Sequence, residues 1–173
     1  RLDLLIRRLR TYATARQEIA IHWIHIGDGE LHASLQELAR SQLTSLSNVL
    51  WEMPGYMTPD GIRQYYATCP VDAYVMVSSS EGLPKSIMES QAHGIPTIAT
   101  CVGGIPELIN TDTGILLNKY FSQDEFNTAL DNIVTFRSLS IRDKVRQTCA
   151  LRFDMRANTT KFIEEVFHPL CFE

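Results

Sequence analysis

The stretch Tyr74-Val-Met-Val-Ser-Ser-Ser-Glu-Gly-Leu-Pro-Lys-Ser-Ile-Met-Glu89 decides the fold of this chain. Its first four residues are apolar and read as a short buried strand, Tyr74–Val77, running into Ser78-Ser-Ser80. Glu81-Gly-Leu-Pro84 then turns the chain, and Pro84 to about His93 reads as a helix. Pro84 suits the first helical position, where its missing N–H costs nothing. A second strand, Ile95-Pro-Thr-Ile-Ala99, and a second glycine turn, Gly103-Gly-Ile-Pro-Glu107, follow. Strand, glycine turn and helix together offer backbone N–H groups and a positive helix end to a phosphate. Glu81 and Glu89 stand around that turn, where carboxylates accept hydrogen bonds from sugar hydroxyls. The combination points to a ligand that carries both phosphate and sugar.

The same alternation continues outward in both directions. Leu2 to about Gln17 places Leu2, Leu5, Ile6, Leu9, Tyr12 and Ala13 at helical spacing. Ala20–Ile26 reads as a strand ended by Gly27-Asp-Gly29, and Glu30 to about Leu43 as a helix. Asn48–Met53 reads as a strand closed by Pro54-Gly55. Thr58 with Pro59 behind it opens a helix to about Ala67. A short helix is expected near Pro106–Ile109 and a strand at Gly114–Leu117. The tail is helical: Ser122 caps one helix, Ile141 to about Leu151 forms another, and Asp154 caps a last one to about Phe167. This alternation implies an α/β fold, a Rossmann-like parallel sheet with helices on both faces. Ligands in such sheets bind beyond the carboxyl ends of the strands. Gly27, Gly55, Ser78–Gly82 and Gly103-Gly104 all follow strands and are expected around one crevice.

Composition narrows the function. The 173 residues suit one domain. A net charge of −4 argues against a general nucleic-acid binder, whose affinity rests on clustered Lys and Arg. No apolar run approaches the ~20 residues of a membrane-spanning helix. Cys69, Cys101, Cys149 and Cys171 show no paired spacing and read as reduced cytosolic thiols.

The run from Asp72 to Leu117 resembles the retaining glycosyltransferases of family 4. Their acidic motif is Glu, seven residues, Glu, followed by Gly-x-Pro, Gly-Gly-x-x-Glu and Gly-hydrophobic-Leu. This chain has Glu81 and Glu89, Gly94-Ile-Pro96, Gly103-Gly-Ile-Pro-Glu107 and Gly114-Ile-Leu-Leu117. Upstream, Ile24-His-Ile-Gly-Asp-Gly29 and Gly55-Tyr-Met57 match earlier landmarks in order.

The resemblance implies the C-terminal half of a GT-B glycosyltransferase, which binds a nucleotide-diphosphate sugar such as a UDP- or GDP-sugar. It implies that the N-terminal acceptor domain, and this half's own first strand, lie outside the chain, so that the chain alone is inactive. Glu81 meets the transferred sugar or its developing charge and is the catalytic candidate. Glu89 accepts hydrogen bonds from the ribose diol. The amides of Gly82, Leu83 and Lys85 serve the diphosphate, since Pro84 has none to give. Gly27, Gly55 and Tyr56 flank the donor, and Gly103 and Gly104 let backbone approach it. The motif requires no metal and no resident cofactor. The acceptor is a glycan or lipid-linked sugar, the pathway surface polysaccharide synthesis, and the place the cytoplasm, peripheral at the inner face of the membrane in the full-length protein.

Plainer readings stand beside these. Glu81 also suits the positive end of a helix dipole, and Glu89 stands four residues from Lys85, the spacing of a surface ion pair. Tyr56 either stacks on a base or is an ordinary loop tyrosine. Gly103-Gly104 before Pro106 also suit a plain turn into a helix, and Glu107 reads as a dipole partner. His22 and His25, expected on one strand face, and His32 in the next helix do not make a metal set. Ser78–Ser80 lack the histidine or aspartate that would mark a nucleophile. Two other functions compete with this one on the residues, and a third on the architecture alone. Gly27-Asp-Gly29 suggests a dinucleotide-binding module of an oxidoreductase, but His32 stands where a third glycine belongs and Asp28 would oppose a pyrophosphate. A non-catalytic binding domain of the same fold is the other; the intact pair of glutamates speaks against it. A nucleotide-sugar epimerase shares the architecture but not usually this motif.

Overall fold

The alternation of apolar runs becomes five strands and eight α-helices among residues 1–167, which a computed structural model of the chain describes. The strands are β1 (Ile21–Ile26), β2 (Val49–Gly55), β3 (Tyr74–Met76), β4 (Thr97–Thr100) and β5 (Gly114–Leu117). The helices are α1 (Leu2–Ala15), α2 (His32–Leu43), α3 (Pro59–Thr68), α4 (Lys85–Ala92), α5 (Ile105–Leu108), α6 (Gln123–Asn132), α7 (Leu139–Phe153) and α8 (Met155–Phe162). Cys171 lies outside the described residues.

Every strand pairing is parallel, as the long helical crossovers require. Among the described residues the ladders do not join into one sheet, however. β1 bonds to β2, with a register shift between Ile24 and Ile26, and β3-β4-β5 form a separate sheet. Helix α1 shows how the two lie. At its start, Arg1 Nε donates to the Val77 carbonyl at 2.8 Å and Nη2 to that of Lys119 at 3.0 Å, just past the ends of β3 and β5. At its end, Asn48 Nδ2, just before β2, reaches the carbonyls of Ala13, Arg16 and Ile19, each at 3.1 Å. The helix therefore runs from the carboxyl ends of one sheet to the amino end of the other, a length of about 21 Å. Both sheets point the same way, and all their carboxyl ends lie at one edge.

One core joins the two sheets. Leu5, Ile6 and Leu9 of α1 pack with Ala39 and Leu43 of α2, Met53 of β2, Ile98 of β4, Leu117 of β5 and Phe126 of α6. A smaller core under α4 and α5 gathers Ile87, Ala99, Val102, Ile105 and Leu108. Caps act where the sequence places them. Thr58, Ser122 and Asp154 accept from the amides of Gly61, Glu125 and Ala157 at 3.1, 3.1 and 2.8 Å. Ser138 does the same for Ile141 at 3.3 Å, so α7 starts earlier than its apolar spacing suggests.

Other local expectations change as well. β2 continues through Pro54 to Gly55 instead of closing at Met53. β4 begins at Thr97 rather than Ile95, since Pro96 has no N–H to give the ladder; its carbonyl accepts from Tyr74. His22 and His25 do not share a face, because strand residues alternate and three positions separate them. His22 is exposed, with Nε2 2.6 Å from Glu52 Oε1, whereas half-buried His25 stacks on Trp23 with ring centroids 6.3 Å apart. Among the described residues no helix is long and apolar enough to cross a membrane.

Candidate functional site

At the carboxyl edge, β3 leads through Val77 and Ser78 into the turn that starts α4. Pro84 is the N-cap, not the first helical residue: its ψ of 115° is extended, and its carbonyl accepts from the Ile87 amide at 3.2 Å. Lys85 and Ser86 therefore open the helix. The amides of Gly82, Leu83, Lys85 and Ser86 have no partner among the described residues. Four free donors at a helix start, with a local excess of positive charge, are what an anion needs.

The two glutamates differ. Glu81 is half-buried, and its Oε1 accepts from the Ser78 hydroxyl at 2.6 Å. Glu89 is exposed, and its carboxylate has no partner among the described residues; the ion pair with Lys85 that the spacing allows does not form. Both bear on one phenol. Burial raises the pKa of Tyr74; a hydrogen bond with Ser86 opposes the shift, and the charges of Glu81 and Glu89 add to it. Both carboxylates thus act on the Tyr74 phenol, Glu81 from the turn before α4 and Glu89 from within the helix.

Gly103 and Gly104 press against this turn. Gly103 has φ +54°, and a Cβ there would stand 1.7 Å from the Glu81 carbonyl oxygen. A Cβ on Gly104 would stand 2.7 Å from the Gly82 oxygen, which already accepts from the Gly104 amide at 2.9 Å. The room that glycine leaves here is filled by the chain itself. Thr100, fully buried, donates to the Ser78 carbonyl at 2.6 Å and ties the turn to β4.

Gly27 and Gly55 meet at the ends of β1 and β2, where the Gly27 amide donates to the Gly55 carbonyl at 2.8 Å. Tyr56 beside them is 70% exposed. The predicted residues therefore form two groups along one edge, Gly27–Gly55–Tyr56 and Glu81–Gly82–Leu83–Lys85–Glu89 with Gly103–Gly104. None of them lines the hollow of about 410 Å³ beside Met88, Phe153 and Phe162, or that of about 230 Å³ beside Asp112 and Lys144. Among the described residues no group of three or more His, Cys, Asp or Glu could hold a metal ion.

Ser78 was expected at the crevice, but its bond to Glu81 was not foreseen, nor were the contacts of Thr100 and Tyr74. Ser78 and Glu81 have the Ser-x-x-Glu spacing that elsewhere pairs a cap with a carboxylate, which was a readable sign. Thr100 reaches across to the end of β3 and Tyr74 to Ser86 of α4, and neither contact left a sign in the sequence.

Parallel strands, crossover helices and a glycine turn with free amides at the carboxyl edge define a Rossmann-like α/β domain. The chain belongs to the glycosyltransferase family described as Glycosyl transferases group 1, whose model matches residues 1–135. It is 30% identical over 146 residues to the sulfoquinovosyl transferase SQD2 of Arabidopsis thaliana, covering 82% of this chain and 27% of that protein. It is 29% identical over 154 residues to the lipopolysaccharide core biosynthesis glycosyltransferase LpsE of Rhizobium meliloti, covering 88% and 43%. The chain thus spans less than half the length of these relatives. In fold it resembles Anabaena HepE, solved in complex with UDP, with a TM-score of 0.72 at 21% identity over 94% of this chain and 44% of that one. The architecture is that of the C-terminal domain of a GT-B glycosyltransferase.

Proposed function

We propose that this chain is the donor-binding part of a retaining glycosyltransferase that moves a sugar from a nucleotide diphosphate to an acceptor hydroxyl. The observation that carries the reading is the run of four unpartnered amides, Gly82, Leu83, Lys85 and Ser86, between Glu81 and the free carboxylate of Glu89. In this reading the amides take the diphosphate and Glu89 takes the ribose diol. Glu81 faces the sugar and its developing positive charge. Gly27, Gly55 and Tyr56 border the donor, and Gly103-Gly104 hold the Glu81 turn beside it. The nucleotide sugar is substrate, and the reading asks for no metal or other cofactor from this chain.

The UDP bound in HepE supports a uridine donor, with guanosine as the alternative base. The lipopolysaccharide role of LpsE supports a glycan or lipid-linked acceptor and a place in surface polysaccharide synthesis. β1 and β3 are each bonded on one side only among the described residues, and the relatives are more than twice as long. Both support a longer enzyme in which a further strand and an acceptor domain complete the site. Transfer needs both substrates oriented and water excluded, so this chain alone binds without turnover.

Titration of UDP and GDP against wild type and Glu89→Ala tests the assignment. Hydrogen bonds to a charged group contribute ~1.5–3 kcal/mol, so Glu89→Ala should weaken the bound nucleotide roughly ten- to a hundredfold without lowering the melting temperature. Unchanged affinity would remove Glu89 from the site.

A further inference from the structure

We propose that Ser78 is a positioning residue for Glu81: it fixes the carboxylate so that one oxygen is held by the chain and the other is left for the sugar. The inference rests on the donor-site reading above and adds a residue to it. The Ser78 hydroxyl has one proton to donate, and it donates it to Glu81 Oε1 at 2.6 Å. Glu81 Oε2 has no partner among the described residues. A hydroxyl donating to a carboxylate at that distance makes a short, charge-assisted bond, stronger than a neutral one. It selects one rotamer of a side chain that would otherwise sample several.

Ser78 is itself held. Its carbonyl accepts from the buried Thr100 hydroxyl at 2.6 Å, so its position follows from the β3–β4 pairing. From the other side, Gly103 sits so close to the Glu81 carbonyl that only a hydrogen fits between. The backbone of residue 81 is thus set by Gly103 and its side chain by Ser78. A serine that merely filled a turn would need neither the carboxylate contact nor the buried threonine behind it. Ser79 and Ser80, both exposed, have no such ties.

The test uses this chain with UDP, GDP, UDP-glucose and GDP-mannose as probes. If Ser78 acts through Glu81, Ser78→Ala reduces the extra affinity for the sugar-bearing probe over its parent nucleotide by roughly three- to tenfold. It leaves the parent nucleotide's affinity as it was. Ser78→Thr, which keeps the hydroxyl, restores the margin. In a Glu81→Ala background Ser78→Ala adds nothing, because the group it acts through is gone. The proposal is overturned if Ser78→Ala leaves the margin intact, weakens UDP or GDP equally, or costs the same with and without Glu81. It is also overturned if neither sugar probe binds more tightly than its nucleotide. That last result, with Glu89→Ala still weakening the nucleotide, leaves the phosphate and ribose assignments standing. Binding of no nucleotide at all overturns both readings.

Discussion

Replacing Gly103 by alanine should damage stability and donor binding together, because this residue braces the turn that carries Glu81. Two costs add. With φ at +54°, the backbone lies in the left-handed region, where a Cβ costs about 1–2 kcal/mol. That Cβ would also stand 1.7 Å from the Glu81 carbonyl oxygen, whereas real Cβ atoms essentially never come within 3.0 Å of a neighbour. The obstacle is backbone, so no side chain can swing aside. Either the Glu81 turn moves by more than an ångström or the 103 turn opens, at an overpacking cost of about 1–3 kcal/mol. Together the loss is roughly 2–5 kcal/mol, and at 2–4 °C per kcal/mol for a domain of this size the melting temperature should fall by about 5–20 °C. Gly82→Ala is the control, since a Cβ there meets nothing within 4 Å; its melting temperature should stay within about 2 °C of wild type. Thermal denaturation followed by circular dichroism reads the first effect, and titration of UDP-glucose and GDP-mannose the second. A Gly103→Ala chain that melts like wild type and binds sugar donors as well would refute the brace.

Other outcomes follow from the same geometry. Asn48→Asp keeps the shape but turns a donor shared by three carbonyls into an acceptor facing them. It should destabilise the domain by about 2–3 kcal/mol, more than any exposed Asn→Asp change, as read by chemical denaturation. Burial holds the pKa of His25 below the ordinary imidazole value, with the charge of His32 helping. The unfolded chain therefore takes up a proton first as pH falls through about 6.5, and stability declines from there down to the folded pKa. Melting temperatures should drop over that range, and drop less in His25→Gln; parallel curves would show that His25 carries none of the dependence.

Much of this domain was readable because the physics is local. Thr58-Pro59, Ser122 and Asp154 start helices with atoms three residues apart, and the structure shows each cap where the sequence put it. The 3.6-residue spacing of Leu5, Ile6, Leu9 and Tyr12 likewise needs no partner to be recognised as one helical face. The Glu81–Glu89 spacing was legible for the same reason, since eight residues of turn and helix set it. Some misreadings were also local. Pro96 warned that β4 could not begin there, and the two-residue strand period already separated His22 from His25.

What only the tertiary structure decided is the support beneath the site and the division of the sheet. Gly103 reads in sequence as a turn glycine or as one kept for a ligand; in the fold its missing Cβ makes room for a carbonyl 22 residues away. Ser78 reads as a polar turn residue until its hydroxyl is seen on Glu81 and its carbonyl on Thr100. Lys85 and Glu89 have the spacing of an ion pair and do not form one. The two ladders, β1-β2 and β3-β4-β5, each show a strand pattern that says nothing about which edges meet. Caps and helical faces depend on neighbours along the chain, which the sequence lists in order. Steric fit between turns and hydrogen bonds between strands depend on neighbours in space, and those exist only once the crossovers have brought the strand ends together.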